Sequence, residues 1–115
     1  MIKRQRVFVL SVIAMIEKLP SGLAYSTIAR QLIRCSTSVG ANYRAACRAK
    51  STADFINKLK IVEEEADECL YFFDLLLELQ NTDKEHLKEL EKEGDEILAI
   101  IVASIRTAKR NRDKK

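Results

Sequence analysis

The sequence holds no tryptophan, one histidine, one proline and three glycines in 115 residues. An all-β domain, which wants a turn signal every ~8–12 residues, is excluded by so little punctuation. No glycine-rich strand-to-helix turn is present, which argues against a nucleotide-binding α/β fold. A histidine triad would have to rest on His86 alone. Carboxylate-bridged di-iron bundles need Glu-x-x-His from each of two helices, and Asp83-x-x-His86 is a single poor echo, better read as surface capping. Cys35, Cys47 and Cys69 are odd in number and widely spaced, so they imply neither a disulfide framework nor a zinc site. They fall on or beside apolar faces, where sulfur acts as a small apolar group. Long apolar runs are also missing. The stretch from Val7 to Ile16 ends in Glu17-Lys18-Leu19-Pro20, with no small-residue cleavage site, and falls short of the ~20 residues that span a bilayer. We therefore expect no catalytic residues, no cofactor, no metal and no membrane partner, in a cytoplasmic protein.

What is present is charge, unevenly placed. Residues 1–50 carry nine Lys/Arg against one acid, residues 51–99 five against fifteen, and residues 100–115 six against one. The blocks stand at +8, −10 and +5 within a net charge of +3. Such segregation calls either for an anionic partner or for pairing between basic and acidic segments of neighbouring subunits.

Punctuation and period give four helices. Pro20-Ser21-Gly22 breaks the first and opens the second. Ser51-Thr52-Ala53-Asp54 has the form of a capping box, and Thr82-Asp83-Lys84-Glu85 repeats it. The segments run over 3–19, 23–49, 52–80 and 83–110. In the third, Phe55, Leu59, Val62, Ala66, Cys69, Phe73 and Leu76 keep a 4-3 spacing, the mark of a bundle seam. In the fourth, Leu87, Leu90, Gly94, Ile97, Ile101 and Ile105 make a second seam, in steps of three and four. Short turns make successive helices antiparallel. The expected fold is all-α, an up-down-up-down four-helix bundle over 1–110, followed by a basic tail over 111–115. Surplus apolar residues point to subunit contacts: Ile61, Phe72, Leu75 and Leu79 on the third helix, and a wide arc on the first that includes Ile2 and Val9.

The second helix is two-sided. At ~100° per residue, Arg30, Arg34, Arg44 and Arg48 fall along one line, with Thr37 and Ala41 between the pairs. Ile28, Leu32, Cys35, Val39, Asn42, Ala46 and Ala49 occupy the other side. Small residues such as Ser38, Gly40 and Ala45 suit a closely packed neighbour, and glycine mid-helix at Gly40 suggests that a Cβ would clash there. Asn42 is expected as a structural polar residue of the core, its amide satisfied and setting register between helices.

The arginine stripe repels itself, so something offsets it. One candidate is phosphate, matched by guanidinium geometry. The other is the acidic side of helix three, through Glu63, Glu64, Asp67 and Glu68, from this chain or from the next subunit. A second basic cluster (Arg106, Lys109, Arg110, Arg112, Lys114 and Lys115) favours phosphate. A third, Lys3, Arg4 and Arg6, is expected at the same end of the bundle, completing a basic pole. Tyr25, Tyr43 and Tyr71 could stack on bases but fit amphipathic packing better.

The stretch from Gln31 to Leu76 resembles a four-helix-bundle family. Its specific part is Arg34-x-Ser36-x-Ser38-x-x-x-Asn42, then Ser51-x-x-Asp54-Phe55 and Glu65-Ala66-Asp67-Glu68. The family includes proteins encoded in intervening sequences of bacterial large-subunit ribosomal RNA genes, and the accessory variability determinant of diversity-generating retroelements. The resemblance implies a homopentamer with a basic surface and no known catalysis. In the retroelement branch it implies a reverse transcriptase as partner. Carried onto this chain, the nucleic-acid-binding positions are Arg30, Arg34, Arg44, Arg48, Arg106, Lys109 and Arg110, with RNA ahead of DNA. Two departures stand out: Ala45-Ala46 where many relatives carry an acid, and Cys35 where a small hydroxyl or alanine is expected. The alternative is a protein-interaction scaffold whose arginine stripe forms intersubunit salt bridges, with no nucleic acid.

Overall fold

The computed structural model describes residues 1–114, so Lys115 of the expected basic cluster lies outside the described residues. Four helices follow in order: α1 (Ile2–Glu17), α2 (Leu23–Cys47), α3 (Thr52–Glu78) and α4 (Lys84–Asp113). Each packs beside its neighbours in a ring, α1 on α2, α2 on α3, α3 on α4 and α4 back on α1. This is the four-helix bundle that the short turns require. Helix four runs through Asp113, so residues 111–113 of the expected tail are helical.

The turns explain the boundaries. Gly22 stands at φ 136°, where a side chain is rarely accommodated, and opens α2. Ser51 Oγ accepts the Asp54 amide N–H at 3.1 Å, capping α3. At the next turn the cap is Asp83, whose carboxylate accepts the His86 N–H at 3.1 Å. Thr82 serves the preceding helix instead, donating to the Leu76 and Leu79 carbonyls. Asn81 takes the left-handed conformation between them, at φ 62°. The Tyr25 hydroxyl donates to the Gln80 carbonyl and joins this turn to the start of α2.

Six α4 positions expected in the seam are buried: Leu87, Leu90, Gly94, Ile97, Ile101 and Ile105. In α3 the buried set is Ile56, Leu59, Val62, Ala66, Cys69, Phe73 and Leu76, so Ile56 takes the inward place expected of Phe55, which is half-buried. Phe8 of α1 meets Phe73 edge to face across the core, with centroids 6.2 Å apart. Gly94 lets α4 approach α3, because a Cβ there would come within 3.0 Å of Leu70. The clash expected at Gly40 does not occur: a Cβ would sit 3.7 Å from Val9, an ordinary contact.

Helix one is the short member. Arg4 reaches Glu93 and Glu96, and Ser11 reaches His86, which fixes how high α1 stands against α4. From Ile97 to Asp113 α4 continues for ~25 Å at 1.5 Å per residue, essentially without α1 beside it. The bundle therefore has a closed four-helix end and an open three-helix end.

Candidate nucleic-acid interface

Arg30, Arg34, Arg44 and Arg48 are all exposed, as are Thr37 and Ala41 between them. The stripe therefore lies on the outer face of α2, with Leu32, Cys35, Ser36, Val39 and Ala46 turned inward. Arg48 is the residue that ends the helix.

The four arginines are not equivalent. Arg34 binds Glu65 at 3.0 Å and also Glu68, both on α3 of the same chain. Its guanidinium is held protonated above the ordinary arginine value, first by Glu68 and then by the field of Glu65. Of the four acids expected opposite the stripe, Glu68 is used, and Glu65 joins it. Both belong to this chain and need no neighbouring subunit. Arg30, Arg44 and Arg48 form no ion pair among the described residues.

Asn42 is half-buried, and its amide is satisfied inside α2, donating to the Ser38 carbonyl at 3.0 Å and to Ser38 Oγ at 2.9 Å. These are contacts one turn back along its own helix, so its hydrogen bonds do not set register between helices. The buried polar residue that the sequence reading missed is Gln5. It is 1% exposed, and neither amide atom has a partner.

The start of α1 does not join the expected basic pole. Arg4 is occupied by Glu93 at 2.6 Å and Glu96 at 2.7 Å, level with the acidic part of α4, so the start of α1 does not sit with Arg110. The end of α2 takes its place. Lys50 and Arg112 line one groove with Cys47 and Asn111, while Arg48, at the end of α2, and Arg106, Lys109 and Arg110, on the adjoining part of α4, do not line it. Arg106 and Arg110 are exposed and Lys109 is half-buried. Lys50 was missed because it lies in the α2–α3 turn, off the helical line.

That groove is the space α1 leaves uncovered. It is open to solvent, with a volume of about 890 Å³, and no residue of α1 lines it. Its walls are small (Ala46, Ala49, Ala103, Ser104 and Ala108), and Phe55 and Ile100 supply larger apolar surface. A smaller groove of about 290 Å³ runs between α1 and α2, with Ile2, Val9 and Leu10 inside and the unpaired Arg6 and Arg44 among its lining. Cys47, expected beside the core, is exposed.

The remaining aromatic and histidine candidates differ in exposure. Burial first, and Cys47 second, push the half-buried Tyr43 phenol up. Tyr71 is exposed on α3, against Phe72, with centroids 5.3 Å apart. Asp83 and His86 form the cap expected of them, through the His86 N–H, and the half-buried His86 ring also places Nε2 3.0 Å from Ser11 Oγ. No group of three or more His, Cys, Asp or Glu among the described residues is arranged to hold a metal ion. No helix among them is long and apolar enough to cross a membrane.

An outer arginine face on α2, opposite a buried packing face, is the arrangement expected from the helical spacing of residues 23–49. The model of the 23S rRNA-intervening sequence protein family matches residues 1–103. The chain belongs to that family. Its fold is shared with a crystal structure of a protein of unknown function from the S23 ribosomal protein family of Bacteroides thetaiotaomicron VPI-5482. That structure is 29% identical over 90% of this chain and 96% of its own, with a TM-score of 0.81. No curated protein matches. The family match stops short of Arg106, so the C-terminal cluster stands on its own geometry.

Proposed function

We propose that this family member is a non-enzymatic, oligomeric bundle that binds nucleic acid, RNA ahead of DNA, through the open end of the bundle. One observation carries the reading. Arg44 and Arg48 are exposed and unpaired, toward the end that holds Lys50, Arg106, Lys109, Arg110 and Arg112, while Arg34 already has two carboxylates. Unpaired guanidinium groups on a rigid helix match phosphate oxygens in geometry, and binding releases the counterions that phosphate holds. The family's tie to ribosomal RNA intervening sequences supports RNA as the anion. A retroelement role, with a reverse transcriptase as partner, is a narrower form of the same reading, and the cytoplasm is its expected site.

The test is binding to a structured RNA as salt is raised. Affinity should fall linearly on a log–log plot, and Arg44→Glu with Arg48→Glu should lower the slope by about 2 and the affinity at least tenfold, with assembly intact. Absence of binding at low salt, or an unchanged slope in the double variant, would overturn the proposal.

The second reading is a scaffold, favoured by apolar surface. Ile2, Val7 and Leu10 of α1 are 49%, 60% and 55% exposed, and Ile61 and Leu75 of α3 also face outward. A homo-oligomer, a pentamer on the resemblance, would cover them. Dissociation of the oligomer by the two arginine substitutions would favour the scaffold.

A further inference from the structure

Two thiols meet beneath the Arg34 ion pairs. Cys35 of α2 and Cys69 of α3 are fully buried, and their sulfurs are 3.1 Å apart. Two non-bonded sulfurs rarely pack so closely. Cys35 lies 3.7 Å from the Leu32 carbonyl as a donor, which leaves its sulfur to accept from Cys69. The Cys69 thiol is pushed far up, first by that hydrogen bond and then by burial. The pair was unexpected from sequence because its members are 34 positions apart on different helices.

We propose that Cys35 and Cys69 are a preformed dithiol which a peroxide converts into an intrachain disulfide joining α2 to α3. Hydrogen peroxide suits the site because it is uncharged and nearly as small as water. One sulfur attacks a peroxide oxygen and the O–O bond breaks. That sulfur becomes a sulfenic acid, and the other oxygen leaves as water with the thiol proton. The second sulfur attacks the sulfenic sulfur, the S–O bond breaks, and that oxygen leaves as a second water. Two thiols and one peroxide thus give one disulfide and two waters. The sulfurs lose two electrons, and the peroxide oxygens gain them.

Burial controls the rate in both directions. The thiolate is disfavoured, so oxidation waits on α2 moving off α3, and the closed disulfide is equally hidden from reducing thiols. The bond would fix the helix pair where Glu65 and Glu68 hold Arg34. It would also close a long loop, which restricts the unfolded chain. The proposal is independent of nucleic-acid binding.

The test uses the full chain carrying Cys47→Ser, which removes the exposed thiol. After incubation with hydrogen peroxide, unfolding and alkylation, the mass should be about 2 Da lower with no alkylated cysteine. A reductant-sensitive peptide should link Cys35 to Cys69, and the oxidised chain should melt at least about 5 °C higher. Cys47→Ser/Cys69→Ser should lose the lighter species. Two alkylatable thiols persisting just below the melting temperature, oxygen added to one cysteine without a cross-link, or disulfides between chains would each overturn the proposal. An oxidised chain that melts lower than the reduced one would refute the preformed geometry.

Discussion

The two ends of this bundle are made from the same helices and behave as different materials. At the closed end four helices meet, Phe8 packs edge to face on Phe73, and Arg4 and Arg34 each hold two carboxylates. At the open end α1 is missing, small side chains line a groove, and Arg48, Lys50, Arg106 and Arg110 have no ion-pair partner among the described residues. The lesson is one of length. A first helix of 16 residues beside a fourth of 30 leaves surface and cations that the fold does not use. The closed end holds the paired charges and the aromatic contact, and the open end holds cations unpaired among the described residues.

The largest effect should separate the ends by stability. Phe73→Ala removes a fully buried ring from the four-helix section and should cost about 3–5 kcal/mol. Phe55→Ala removes a half-buried ring at the groove and should cost at most about half as much. Urea unfolding of both variants measures the difference. Equal losses would mean that the open end is as tightly built as the closed one.

A middling effect is expected near the start of α1, where the ends meet. Gln5 is buried with both amide atoms unpartnered, a burden of about 1–3 kcal/mol. Gln5→Leu keeps the volume and removes the burden, so the midpoint of unfolding should rise by a matching amount. A fall would show that the amide is held by an internal water or by a neighbouring subunit.

The legible parts of the fold were those set by local period. The α4 seam steps by three and four residues throughout, and all six of its positions are buried. The α3 seam fails only at its first residue, Phe55, which faces the groove where no fourth helix presses it inward. The outward face of the stripe was legible too, because angle around a helix follows from spacing alone. Which arginines are free was not. Arg34 meets Glu65 and Glu68 across 31 and 34 positions, and only the register of α2 against α3 brings them together. The height of α1 is a relation of the same kind. Pro20 ends the helix in the sequence, but contacts with Glu93 and His86 decide which part of α4 it leaves bare. Gln5 escaped notice because an amide on an apolar face reads as exposed.

The smallest effect concerns pH and tests whether the Arg4 clamp closes the boundary between the ends. The hydrogen bond from Arg4 holds the Glu93 carboxyl below its ordinary range, with the Arg4 charge adding to it. A depressed carboxyl adds stability above its unfolded pKa, near ~4.3, and loses it as pH falls through the folded value. Two residues away, Glu91 has the opposite sign. Asp74 raises its pKa, by hydrogen bonding first and burial next, so its contribution is fully present at low pH and is lost as pH rises through the folded value. Arg4→Met should therefore flatten the loss of melting temperature between about pH 5 and pH 2, while Glu91→Gln should raise stability at neutral pH and leave the acid limb alone. If Arg4→Met keeps the full acid slope, the clamp contributes nothing at the boundary, and helix packing alone sets where α1 begins.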